Sequence, residues 1–201
     1  MYNVEILTNF KSIGISDEKK QIILCHTGRE VKEYLTSLNV RMSGNYDKIP
    51  NYIVERTGKI IKLLDDFEYT NYFSNQNINK RSIIISLENL GWLEKKPLTN
   101  EYINWKGNIY NGLVYEKKWR DYFIWQPYTD NQIEQLALLC LDLMDRIKIK
   151  RAVIGHNTKV EYVENFQGVV CRSNYDSKFT DLNPSFNFEK FVNYFENEQF
   201  A

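Results

Sequence analysis

Only two histidines occur among the 201 residues, and each stands at the end of an apolar run. His26 closes Gln21-Ile-Ile-Leu-Cys-His26-Thr-Gly, and His156 closes Ala152-Val-Ile-Gly-His156-Asn. Imidazole ligates zinc readily and changes charge near neutral pH. Two imidazoles delivered by the ends of two buried strands can converge at one edge of a sheet, where metal and catalytic sites usually lie. A hydrolytic zinc centre takes three protein ligands and leaves the fourth position to water, whose pKa the metal lowers to about 7. The third ligand must then be a carboxylate or thiolate in the loop after His156. Asp181, in Phe179-Thr-Asp181-Leu-Asn-Pro184-Ser-Phe186, is the first choice, ahead of Cys171 and Asp176 in the same loop.

These side chains need a scaffold, and the sequence predicts a mixed one. Ile22–Cys25 reads as a strand, followed by an amphipathic helix over Arg29–Leu38 with Val31, Leu35 and Leu38 at helical spacing. Two β-rich runs, Tyr52–Glu55 and Lys59–Leu64, flank Arg56-Thr57-Gly58, a hairpin signal. Ser82-Ile-Ile-Ile-Ser86-Leu-Glu88 is the best strand, its three isoleucines suited to a central position covered on both faces. Thr129-Asp-Asn-Gln132 opens a helix of about five turns running to Ile147. Ala152–Ile154 reads as the strand that delivers His156, and Phe188, Phe191 and Phe195 mark a short final helix. A short strand near Val4–Leu7 completes the set. The expected fold is a single α/β domain over residues 1–201, a central mixed sheet flanked by helices. An irregular, aromatic-rich insertion at about 93–127 would lie over one face, and residues 157–185 would form a long loop.

Bulk properties narrow the function. Lys plus Arg number 26, as do Asp plus Glu, so the formal net charge is zero and no strong global field favours nucleic acid or an anionic membrane. No apolar run is long enough to span a bilayer, and the N-terminus lacks the basic and apolar regions of a secretion signal. Synthesis as a cytosolic protein is the expectation. Three cysteines, Cys25, Cys140 and Cys171, with no CxxC pair, speak against a disulfide framework. The 14 Tyr and 11 Phe are mostly packing residues by expectation, although aromatics also stack on sugar rings.

The order of the motifs resembles a known family. Apolar strand to His26, hairpin, Ser-Ile-Ile-Ile strand, Tyr-Thr-x-x-Gln helix, Ile-Gly-His156, then Thr-Asp181-x-x-Pro-x-Phe is similar to the zinc-dependent N-acetylmuramoyl-L-alanine amidases. That family includes phage lysins of the T7 lysozyme kind and is related to the peptidoglycan recognition proteins. The resemblance covers roughly residues 21–195. It implies that His26, His156 and Asp181 hold Zn2+, and that the substrate is the peptidoglycan amide joining N-acetylmuramic acid to L-alanine. The chain departs from the family at its helper residues. Ser86 stands where many members carry a strand glutamate, Pro50 where others carry a tyrosine, and Phe179 where a lysine precedes the third ligand. Three substitutes are at hand. Glu88 lies two residues beyond Ser86 on the same strand face, about 6–7 Å away, as a candidate general base. Tyr52 shares the face of Pro50, and Lys178 or Arg172 could stabilise an oxyanion from the loop. The expected setting is a phage or prophage lysin that reaches the wall after membrane permeabilisation or from the virion. The alternatives are a muropeptide-binding module without turnover and a virion structural component of the same fold.

Overall fold

The computed structural model describes residues 4–197. In chain order the elements are β1 (Val4–Ile6), β2 (Gly14–Ile15), β3 (Gln21–His26), α1 (Val31–Val40), β4 (Tyr52–Val54), β5 (Ile60–Lys62), β6 (Glu68–Tyr69), α2 (Gln76–Arg81) and β7 (Ser82–Leu87). There follow β8 (Trp92–Lys95), β9 (Tyr102–Asn104), β10 (Ile109–Tyr110), β11 (Tyr115–Trp119), β12 (Tyr122–Trp125), α3 (Asp130–Ile147), β13 (Gly168–Cys171), α4 (Arg172–Tyr175) and α5 (Phe188–Asn197).

The central sheet has six strands in the order β1-β5-β4-β7-β3-β13. Strands β4, β7, β3 and β13 run parallel, and the β4–β5 hairpin supplies the antiparallel pair. Parallel strands are covered on both faces, which is why Ile22–Cys25 and Ile83–Ile85 carry apolar side chains without alternation. Ile22, Leu24, Ile83, Ile85 and Leu87 face α3 and α5 in the largest core cluster. On the opposite face Ile53 and Ile61 pack with Val31, Tyr34 and Leu38 of α1. Farther along that face, Ile23, Ile84 and Val170 pack with Val163, Ile78 and Tyr175. The Thr129 hydroxyl caps α3 by accepting from the Gln132 amide at 3.1 Å, as its capping motif predicts.

The structure differs from the sequence expectation at two places. Residues 93–127 are not irregular: with Trp92 they build a second, antiparallel sheet ordered β10-β9-β8-β12-β11. Its strands escape a periodicity reading because β11 exposes four of its five residues and so has no apolar face. Its aromatics mainly pack on one another, with Trp92 stacked on Tyr122 at 4.7 Å and Trp125 fully buried. The second difference governs the site. Residues 157–185 contain β13 and α4, and β13 rather than Ala152–Ile154 lies beside β3, in register Val170 to Ile23 and Cys171 to Leu24. Ala152–Ile154 makes only an isolated bridge from Val153 to Val169 on the outer side of β13.

Candidate functional site

Parallel strands end together, so β3, β7 and β13 present their carboxyl ends at one edge, the usual place for ligands in an α/β sheet. A cleft of about 570 Å3 opens there, with His26 and Arg172 in its wall. His26 is the last residue of β3, and its ring lies against Gly91, where a Cβ would meet Cε1 at 3.0 Å. Gly91 also has φ +81°, so both the backbone conformation and the close approach call for glycine there. Burial lowers the His26 pKa below the ordinary histidine value, the Asp181 carboxylate opposes this, and the Arg172 guanidinium adds to the lowering. The Nδ1 atom of His26 is buried without a hydrogen-bond partner.

Asp181 reaches the same edge and is fully buried. The Arg172 Nε donates to both of its oxygens, at 2.9 Å to Oδ2 and 3.1 Å to Oδ1, and the His26 amide donates to Oδ2 at 3.2 Å. The segment carrying Asp181 is pinned from behind. Asn183 Nδ2 donates to Asn89 Oδ1 at 3.0 Å and to the Gln126 carbonyl at 3.2 Å, and the Ser173 amide donates to the Asp181 carbonyl at 3.1 Å. Arg172 also stacks over the Phe179 ring at 4.4 Å. Burial works against its charge, but Asp181, with Tyr72 and Cys25 nearby, more than restores it, so its pKa lies above the ordinary arginine value.

Below this pair lies a small polar layer. The Cys25 thiol is 2.9 Å from the Tyr72 hydroxyl and 3.1 Å from Ser86 Oγ. Burial pushes the Cys25 thiol up to about 11, so it is a protonated thiol at neutral pH rather than a nucleophile. Around the cleft stand Arg29, Arg41 and Lys48, together with Trp105, Tyr46 and Phe179; Asp176 is an acidic group in the same wall. Trp105, from the second sheet, donates its indole N–H to the Gly28 carbonyl at 2.7 Å and lies under the Arg29 guanidinium at 4.8 Å.

The other residues singled out from sequence are not gathered here. His156 is exposed in a separate cleft with Trp119, Pro184 and Phe188, its Nδ1 2.8 Å from the Thr158 hydroxyl. The reason is the displacement of Ala152–Ile154 from the sheet by β13. Glu88 is committed to backbone: Oε1 accepts from the Val31 amide at 3.0 Å and Oε2 from the Arg56 amide at 2.9 Å, anchoring the start of α1 and the hairpin loop. It borders another depression, with Glu30 and Glu55. Tyr52 is buried toward α3 and donates to Asp66 Oδ1, and Asp66 in turn pairs with Arg146. Lys178 is exposed on the loop, outside the cleft wall. Cys171 is buried in the core cluster, where desolvation holds its thiol protonated. All three cysteines are free.

Arg172, expected from sequence as a loop cation that could stabilise an oxyanion, instead directly follows β13, at the start of α4, and is the partner of Asp181. A signal for this existed. Gly168-Val-Val-Cys-Arg172 has the same form as Ala152-Val-Ile-Gly-His156, an apolar run ending in a basic side chain.

Strand order and the position of the cleft define the class: an α/β domain with a mixed sheet and a candidate site at the carboxyl ends of its parallel strands. Residues 16–171 match the family Amidase_2, N-acetylmuramoyl-L-alanine amidase, and the chain belongs to this family. The matched stretch includes His26 and His156 and ends just before Arg172. Among solved structures, the chain is similar to the N-acetylmuramyl-L-alanine amidase AmiD from E. coli in complex with anhydro-N-acetylmuramic acid-L-Ala-D-gamma-Glu-L-Lys. That likeness has TM-score 0.53 and 19% identity, covering 92% of this chain and 61% of AmiD. The chain thus spans about 61% of the length of that structure. Weaker likenesses are to AmpD, with TM-score 0.48, 16% identity and 95% and 93% of the two chains, and to the endolysin LysCS from Clostridium intestinale, with TM-score 0.43, 12% identity and 74% and 77%. No curated protein matches the chain. No helix among the described residues is long and apolar enough to cross a membrane.

The zinc that the family resemblance implies can be tested against these residues. His26 offers an unpartnered Nδ1 as one donor, and Asp181 is adjacent. A third donor is missing: no group of three His, Cys, Asp or Glu side chains that could hold a metal occurs among the described residues. The Asp181 carboxylate is already shared between a guanidinium and a backbone amide. Because the Arg172 guanidinium already neutralises Asp181, a divalent ion placed there would find no net negative charge to hold it. The residues present do not fit zinc.

Proposed function

We propose that the chain is a peptidoglycan-directed amidase of its family, with the cleft at His26 as the site that takes the muramoyl–L-alanine region of the wall. Family membership supports hydrolysis of that amide. The cleft itself carries the recognition part: Arg29, Arg41, Lys48 and Arg172 surround a space also walled by Trp105 and Tyr46. A muramyl peptide offers matching chemistry, because a γ-linked glutamate keeps a free α-carboxylate and sugar rings pack on aromatic faces. Arginine suits the carboxylate through its planar fork of donors. His26 lines the cleft and Asp181 is buried behind Arg172, with no step assigned to a metal. The phage or prophage setting, with access to the wall after membrane permeabilisation or from the virion, is proposed from the motif order shared with phage lysins.

A second reading is favoured by one observation, the Arg172–Asp181 pair at the sheet edge. Under it the domain grips muramyl peptide without turning it over. Cosedimentation with purified peptidoglycan, combined with assay of newly released amino groups, separates the two. Binding with amine release supports the amidase, and binding without release supports the gripping module. No binding and no release would defeat both. His26→Ala should weaken the binding in either case, since its ring forms part of the cleft wall.

A further inference from the structure

Three features meet at one point of the sheet edge. First, β13 pairs in parallel register with β3, so Arg172, one residue past Cys171, stands beside the Cys25–His26 end of β3. Second, its Nε spans both oxygens of the fully buried Asp181, whose Oδ2 also accepts from the His26 amide. Third, the histidine of the other apolar run lies in a different cleft. A metal centre at this edge would take one donor from each of two neighbouring strand ends and a third from the Asp181 segment. Two of those three positions hold suitable donors, and the remaining strand end holds a guanidinium.

We infer that Arg172 takes the place of the metal ion: the centre formed with His26 and Asp181 carries its positive charge on a side chain and takes up no zinc. An arginine is charged at every accessible pH, so the substitution is permanent and responds to neither chelators nor metal supply. The guanidinium neutralises Asp181 as a cation would, fixes its orientation through two contacts, and turns a side-chain charge toward the cleft. Unlike zinc, it does not lower the pKa of a bound water. The inference rests on the family reading only for the choice of zinc as the ion to test. It holds whether the chain cleaves the wall or only binds it.

The test is metal stoichiometry on the intact chain, independent of any peptidoglycan assay. The wild-type protein, incubated with excess Zn2+ and desalted, should retain well under 0.1 zinc per chain, roughly a tenfold deficit from a filled site, and its melting temperature should be the same with Zn2+ and with EDTA. About one zinc per chain in the wild type, lost in His26→Ala, would overturn the inference. The second arm is Arg172→His, which sets an imidazole beside His26 and Asp181 and completes a three-donor set. This variant should retain about one zinc per chain and melt higher with Zn2+ than with EDTA. A variant with wild-type far-ultraviolet circular dichroism that still takes up no zinc would refute the placement of Arg172 at the missing donor position. Should the variant fail to fold, the wild-type titration decides alone. Failure of the proposed function would show separately, as absence of binding to peptidoglycan.

Discussion

Two short runs compete for one place in the sheet. Ala152-Val-Ile-Gly-His156 and Gly168-Val-Val-Cys-Arg172 are both apolar and both end in a basic side chain. The second lies beside β3, bonded along its whole length, whereas the first touches only the outer edge of the second. Burial explains the difference. Gly168–Cys171 is buried at every position, with Val169 and Cys171 turned to the α3 core and Val170 to the opposite face. Ala152–Ile154 is only half-buried. A strand covered on both faces needs apolar residues without alternation; each run offers three, so the packing around Val169, Val170 and Cys171 rather than run length separates them. The consequence is chemical: an imidazole is sent to an exposed cleft, and a guanidinium is brought to Asp181.

Removing the guanidinium should have the largest effect on this edge of the sheet. Asp181 is fully buried, while Arg172 keeps about a quarter of its side chain exposed. Loss of one partner of such a pair strands the other charge, at about 3–5 kcal/mol for buried pairs. The partial exposure of Arg172 places Arg172→Ala near the lower end, about 3 kcal/mol, measured by urea denaturation. Adding Asp181→Ala should recover part of this, because the uncompensated carboxylate is then gone. Equal losses in the single and double variants would mean that packing on Phe179, not the charge, makes Arg172 important.

A smaller effect is expected where the two runs touch. The Val169 amide donates to the Ala152 carbonyl at 2.8 Å, and the Ile154 amide donates to the Val169 carbonyl at 2.9 Å. Gly168 makes the approach possible: a Cβ there would lie 2.1 Å from the Ala152 oxygen, and its φ of +133° disfavours a side chain. Gly168→Ala should therefore lower stability by about 2 kcal/mol, within the range of roughly 1–3 kcal/mol for residues forced into such backbone regions. Hydrogen exchange should localise the loss to residues 152–154 and the start of β13. A change spread evenly over α3 would place the strain elsewhere.

Much of the scaffold was legible in the sequence because its signals are local. The isoleucine run of β7, the capping threonine of α3 and the glycine of the β4–β5 hairpin each act within a few residues, and each element stands where its signal placed it. Family membership was legible from motif order, which the match over residues 16–171 establishes. The site was less so. His26 and Asp181 do meet, but the strand beside β3 could not be chosen from sequence, since two runs had the right composition and only packing over both faces separates them. Glu88 and Tyr52 carried suitable chemistry, yet the first is spent on the amides of Val31 and Arg56 and the second on Asp66. Such long-range partners leave no periodic trace.

The smallest expected effect is the most discriminating for the two histidines. His156 is exposed, its ring is hydrogen-bonded to the hydroxyl and the amide of the neighbouring Thr158, and its cleft is separate from the one at His26. Surface substitutions of this kind shift stability by no more than about 0.5 kcal/mol. The link between this loop and the Asp181 segment runs through backbone: Asn174 Nδ2 donates to the His156 carbonyl at 2.9 Å, and Asn157 Nδ2 donates to the Leu182 carbonyl at 2.8 Å. Both bonds survive truncation of the imidazole. His156→Ala should thus leave unfolding free energy, zinc content and peptidoglycan binding unchanged, while His26→Ala weakens binding. If instead both alanine variants lose binding equally, the two histidines act on one ligand, and the exposed cleft beside Trp119 and Phe188 must be counted as an extension of the site rather than a by-product of the strand that β13 displaced.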